Sequence, residues 1–154
     1  MIQVKNERCV NLRPATSADL ESVLELLRRS NLPLEGVEAS SMADFVVAES
    51  EGMIVGVAGL ELYRQSALLR SVAVEENWRG SGVGHALIDR ALSRTQEQGI
   101  HDVFLLTTTA REYFPRFGFA CIEREAVPEP MQASAEFQGA CPDTAVCMRK
   151  TLLD

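Results

Sequence analysis

SVAVEENWRGSGVGHAL, Ser71 to Leu87, decides how the rest of the chain is read. The residues just before and into it, Leu68 to Val74, form an apolar run rich in leucine and valine and free of breakers, which predicts a buried strand. A short polar connection leads to Arg79-Gly80-Ser81-Gly82-Val83-Gly84, and from there Val83, Leu87 and Ala91 fall on one face of a helix. Glycines at 80, 82 and 84 permit positive φ and close approach of a ligand to the backbone. The helix that begins there offers unpaired amides and a partial positive charge. Strand, glycine turn and helix N-terminus together make a phosphate cradle.

Which cradle it is depends on spacing. A dinucleotide site needs G-x-G-x-x-G and a P-loop needs G-x-x-x-x-G-K-[ST]; Gly80 to His85 satisfies neither. R-x-x-G-x-G does fit, with Arg79, Gly82 and Gly84 at the required places. This pattern resembles the pyrophosphate loop of the GNAT acyltransferases, which bind acetyl-CoA. The bland alternative is a tight glycine turn that serves only helix packing.

Working outward, Val10 to Arg13 predicts a first strand closed by Pro14, and Thr16 with Asp19 gives a loose capping box ahead of a helix carrying Leu20, Val23, Leu24 and Leu27. Asn31 to Gly36 breaks that helix, and the stretch to Asp44 is a loop or a short second helix. Phe45 to Ala48 and Met53 to Leu62 are strands joined across Glu51-Gly52; Tyr63 to Ser66 then turns the chain into Ala67 to Val74. The result is an antiparallel meander that delivers the chain to the glycine loop. Beyond the helix, which ends near Gly99, Asp102 to Thr107 reads as a buried strand, Arg111 to Phe117 as a helix stopped by Gly118, and Phe119 to Glu123 and Ala145 to Leu152 as the last strands. About twenty residues containing Pro128, Pro130 and Pro142 separate those two strands, too long for a simple connection.

The 154 residues predict one domain over the whole chain, and 46% hydrophobic with 24% charged residues marks a globular protein. A net charge of −7 with no basic block opposes nucleic-acid binding. Neither a signal-peptide core nor a membrane-length apolar run is present, so the expected location is cytoplasmic. Cys9, Cys121, Cys141 and Cys147 contain no C-x-x-C pair and are expected to be free thiols, with no metal site. The expected partner is a small-molecule amine, without nucleic acid or membrane; the sequence leaves the oligomeric state open, a homodimer being one alternative.

The resemblance extends past the loop. LRPAT near the start and AREYFPRFGF, ending in Gly118-Phe119, are similar to further GNAT segments. It implies an α/β GNAT fold: a mixed, mostly antiparallel sheet of about six to seven strands, splayed in the middle and flanked by about four helices. It also implies that acetyl-CoA is held by Arg79, Gly80, Ser81, Gly82, Val83 and Gly84, with backbone groups of Val72, Ala73 and Val74 along the thioester arm and Phe114 beside it. The usual positions of the base and the acid are occupied by Leu68 and Phe114, which supply neither. If Leu62 pairs with Ala67, Glu61 faces Leu68 across the hairpin and is either a replacement base or an exposed strand carboxylate. Arg70 shares the face of Leu68, where it binds a substrate carboxylate or pairs with Glu61. Tyr113, one residue from the usual place, is the candidate acid.

Within the superfamily the resemblance is nearest to arsenic-resistance N-acetyltransferases, through VAGLELY, ALLRSVAV, FLLTTTA, YFPRFGF, VPEPMQASAEF and CPDTAVCM. LLTTTA with the following aromatic pair also resembles the catalytic domain of N-acetylglutamate synthases. Both imply N-acetylation of a small amine bearing a carboxylate. A thiolate site for a trivalent arsenical at Cys141 and Cys147 is a further reading, against two small buried cysteines. The non-enzymatic alternative is a GNAT fold kept as an acetyl-CoA sensor or interaction module.

Overall fold

The computed structural model describes residues 2–3, 9–141 and 144–152; Pro142, one of the three prolines of the long connection, lies outside them. Its strands are β1 (Ile2–Gln3), β2 (Cys9–Pro14), β3 (Phe45–Ser50), β4 (Met53–Tyr63), β5 (Ser66–Val74), β6 (Asp102–Thr107), β7 (Ala120–Ile122) and β8 (Val146–Thr151). The helices are α1 (Leu20–Arg29), α2 (Val83–Glu97) and the single turn α3 (Glu129–Gln132). One sheet runs in the order β1-β2-β3-β4-β5-β6-β8-β7, in which only the β5–β6 pair is parallel. The two-residue β1 takes the count to eight, where six to seven strands were expected.

The turns set this topology. Glu51 and Gly52 both take positive φ, and their two-residue turn joins β3 to β4. Arg64 and Gln65 make the next one, with Arg64 at φ 50°. That turn fixes Leu62 opposite Ala67 and Glu61 opposite Leu68, the register expected from the sequence. Thr16 N–H donates to Asp19 Oδ2 at 2.7 Å, closing the capping interaction ahead of α1, and Arg13 grips the same carboxylate with both guanidinium nitrogens at 2.8 and 2.9 Å.

Alternation along β3 and β4 divides the core. Phe45, Val47 and Val57 face α1, whereas Val46, Ala48, Ala58 and Leu60 face α2. Strands buried on both faces explain why β4 reads as a continuous apolar run. Val83, Leu87 and Ala91 of α2 are fully buried on it, and Gly56 is required there: a Cβ would sit 2.7 Å from Leu87 Cδ1. Truncating Leu87 in such a site costs about 2–5 kcal/mol.

Two features of β5 build the cleft. It pairs with β6 only from Ser66 to Leu68, after which the strands part while both continue. Between Gly59↔Arg70 and Val57↔Ala73 the register also slips, leaving Ser71 and Val72 opposite Ala58 alone. Ser71 takes φ 58° at this bulge, a strained value for a non-glycine residue.

Candidate active site

The opening between β5 and β6 is a cleft of about 520 Å³. One end is made of backbone. Gly82 caps α2 at φ 100° without a side-chain cap, so the first-turn amides of the helix have no capping partner there. Open space lies in front of Gly80 and Gly82, where an added Cβ would meet nothing within 4 Å. Arg79 Nε donates to the Val74 carbonyl at 3.1 Å and ties the loop to the end of β5. Arg79, Gly80, Gly82 and Gly84 line the cleft together with Val72, Ala73 and Val74. Ser81 and Val83 turn inward: the Ser81 hydroxyl donates to the Trp78 carbonyl, and the Val83 side chain is in the core. What those two offer a ligand is their backbone.

The segment after β6 is less helical than its sequence suggests. Residues 111–113 form a turn, and a 3-10 helix covers only Phe114–Phe117, since Pro115 has no N–H to donate. Tyr113 and Phe114 therefore both line the cleft. Phe114 packs edge-on to Phe119 and is otherwise buried. The Tyr113 hydroxyl stands over the first turn of α2, 3.8 Å from where a Cβ on Gly84 would be. Its ring touches Phe114 and Phe117 and carries the Arg116 guanidinium 4.3 Å from its centre. Burial pushes the Tyr113 phenol up, which keeps its proton on.

The opposite end is made of charged side chains. Arg70 is almost fully buried and lines the cleft. Its Nη1 donates to Glu61 Oε2 at 2.7 Å and its Nε to Ser71 Oγ at 3.0 Å. Its Nη2 makes no hydrogen bond among the described residues and lies 3.5 Å from Glu136 Oε2. Glu61 also accepts from the Tyr63 hydroxyl at 2.5 Å. Burial raises the Glu61 carboxyl, but the bonds from Tyr63, Arg70 and Ser134 outweigh it and hold the group below its ordinary value.

Glu136 and Cys141 come from the long connection after β7. That connection folds into short turns, Arg124–Ala126, α3 and Glu136–Ala140, instead of an open loop. Both side chains line the cleft. Burial pushes the Glu136 carboxyl up, against the pull of Arg70 and a hydrogen bond with Cys141. The sequence signalled that this connection was too long to be inert, yet gave no sign of which residue it buries. Burial pushes the Cys141 thiol to about 12 and the Cys147 thiol to about 11, so both are thiols at neutral pH. Cys147 packs with Leu68 and Phe104 and does not itself line the cleft. Among the described residues no group of three or more His, Cys, Asp or Glu is gathered to hold a metal, and no helix is long and apolar enough to cross a membrane.

Comparison with known proteins places this arrangement. A model of the acetyltransferase (GNAT) domain matches residues 41–121, just over half of the chain and the part that contains the cradle. An uncharacterized N-acetyltransferase of Chlorobaculum tepidum is 33% identical over 114 residues, covering 71% of each protein. The amino-acid acetyltransferase of Pseudomonas putida is 31% identical over 88% of this chain, which spans only 33% of that protein. Among solved structures, Rv2747 from Mycobacterium tuberculosis, in complex with CoA and NLQ, is similar with a TM-score of 0.80 and 28% identity, covering 93% of this chain and 99% of that one. The N-acetylglutamate synthase of Neisseria gonorrhoeae, complexed with coenzyme A and N-acetyl-glutamate, shares the fold with a TM-score of 0.81 at 21% identity, over 97% of this chain and 36% of that one. The family model thus runs through the strands and the glycine loop that form the cleft, and the chain belongs to the GNAT acetyltransferases, as an N-acetyltransferase.

Proposed function

We propose that this protein transfers an acetyl group from acetyl-CoA to the amine of a small amino acid whose carboxylate is held by Arg70. The observation that carries this reading is the buried guanidinium at the end of the cleft, with Nη2 making no hydrogen bond among the described residues, opposite a glycine cradle at the other end. A buried donor that makes an ion pair at 3.5 Å but no hydrogen bond is costly, and an incoming carboxylate satisfies it with a charge-assisted bond. The amino-acid acetyltransferase relatives support an acceptor of this class.

In this reading the amides of Gly80, Ser81, Gly82, Val83 and Gly84, with Arg79, hold the pyrophosphate of CoA. The pantetheine arm follows Val72, Ala73 and Val74 between the parted strands, with Phe114 as its apolar wall. Tyr113, protonated and set over the helix start, gives a proton to the leaving sulfur. Glu61, read from the sequence as a replacement base, serves the acceptor end through its bond to Arg70.

A finer substrate follows from the C-terminal resemblance. VPEPMQASAEF contains Glu136, and CPDTAVCM opens with Cys141, so the stretches similar to arsenic-resistance N-acetyltransferases form the acceptor end; Pro142 and Asp143 lie outside the described residues. This supports an amino acid carrying an arsenical or phosphinic group. Four free thiols accord with a reducing, cytoplasmic setting.

The test is acetyl-CoA-dependent thiol release over a panel of amino acids, arsenical and phosphinic amino acids, their decarboxylated amines and histone-like peptides. Turnover confined to carboxylate-bearing small amines is the expected result. Acetylation of peptides without activity on small amines would refute the substrate class, and acetyl-CoA binding without thiol release on any acceptor would leave a sensor.

A further inference from the structure

Two carboxylates reach one guanidinium, and their situations differ. Glu61 is fully engaged: Arg70 Nη1 on one oxygen and Tyr63 on the other. Glu136 is the surplus charge. Its side chain is 5% exposed, less than the 22% of Glu61, and it stands 3.5 Å from an Arg70 nitrogen that makes no hydrogen bond to it. A buried carboxylate that shares its one counter-charge with a second carboxylate is unfavourable. A zwitterionic acceptor resolves both problems at once, bringing its carboxylate to Arg70 Nη2 and its ammonium to Glu136.

We propose that Glu136 is the catalytic base, the group that takes the acceptor's ammonium proton, and that Glu61 is a positioning residue that aims Arg70. This rests on the proposed acetylation of a small amino acid. The acceptor gives one proton to a Glu136 oxygen, and the freed lone pair forms the N–C bond to the thioester carbonyl as the C–S bond breaks. The sulfur leaves with the proton of the Tyr113 hydroxyl. The second nitrogen proton restores that hydroxyl through water, and Glu136 returns its proton to solvent, so one proton is released per acetylation.

The groups that face Glu136 are Arg70 from β5, Glu61 from β4, Glu35 from the loop after α1, and Cys141 from its own segment, with Arg124 facing Cys141. Burial dominates over Arg70 and raises the carboxyl. Glu136 must be ionised to accept a proton, so kcat/KM falls as pH drops through a range above that of an ordinary carboxylate.

The experiment compares Glu136→Gln and Glu61→Gln on the best wild-type acceptor, whose turnover is first established so that loss of the underlying reading is seen separately. Glu136→Gln is expected to lower kcat by about a hundredfold to a thousandfold and to abolish the acid limb of the pH profile, with acetyl-CoA affinity unchanged. Glu61→Gln is expected to raise the KM of the acceptor while keeping the limb. Formate should restore part of the rate to Glu136→Ala, which covers the case of a Gln variant that folds poorly. A retained acid limb in Glu136→Gln, or its loss in Glu61→Gln, would overturn the assignment.

Discussion

The two ends of the cleft are built from different materials. The donor end is backbone: six consecutive residues, 79–84, place amides and open space at the start of α2. The end proposed for the acceptor is side chain: Glu61 from β4, Arg70 from β5 and Glu136 from the segment after β7 meet across 75 residues of sequence. A backbone device is insensitive to side-chain exchange except at its glycines and is readable as a local pattern. A charge cluster is set by three separate elements, so in the proposed reading changing one of them alters the acceptor while the donor end stays intact.

The sharpest way to break that contrast is at Gly82. A β-branched residue at φ 100° is strained by about 1–3 kcal/mol, within what a domain of ordinary stability tolerates, and its side chain would occupy the open space in front of the loop. Gly82→Val is therefore expected to remain folded and to show no acetyl-CoA binding by calorimetry. Wild-type affinity in a folded variant would remove the cradle from the account. A smaller effect is expected at Tyr113, whose hydroxyl stands over the first turn of α2. Tyr113→Phe keeps the ring contacts with Phe114 and Phe117 and deletes only the hydroxyl. Since a thiolate leaves acceptably near neutral pH, the loss in kcat should be about tenfold, growing with acceptors that attack more slowly. An unchanged rate at every pH would make Tyr113 only a wall of the cleft.

The same contrast explains what could be read from the sequence. The register that sets Glu61 opposite Leu68 was legible because a two-residue turn leaves a hairpin little freedom. Asp102–Thr107 was legible as a buried run, and the parting of β5 from β6 came with the family resemblance. The helical reading of 111–117 was too long because the aromatic spacing hid the effect of Pro115. Residues 124–144 carry no apolar period that would announce their short turns, and the burial of Glu136 depends on Arg70, 66 positions earlier. Arg70 presents the middle case: its face was predictable from strand alternation, but the bulge at Ser71 and the second carboxylate were not.

In the proposed function one buried guanidinium selects a carboxylate-bearing acceptor for acetyl transfer from CoA. Arg70→Lys tests it most directly, because the charge between Glu61 and Glu136 is kept and only the planar fork is lost. The measurement is KM for an amino acid and for its decarboxylated amine, in wild type and variant. A rise of about tenfold or more is expected for the amino acid, equivalent to one charge-assisted bond, with little change for the amine. Equal changes for the two acceptors would contradict it.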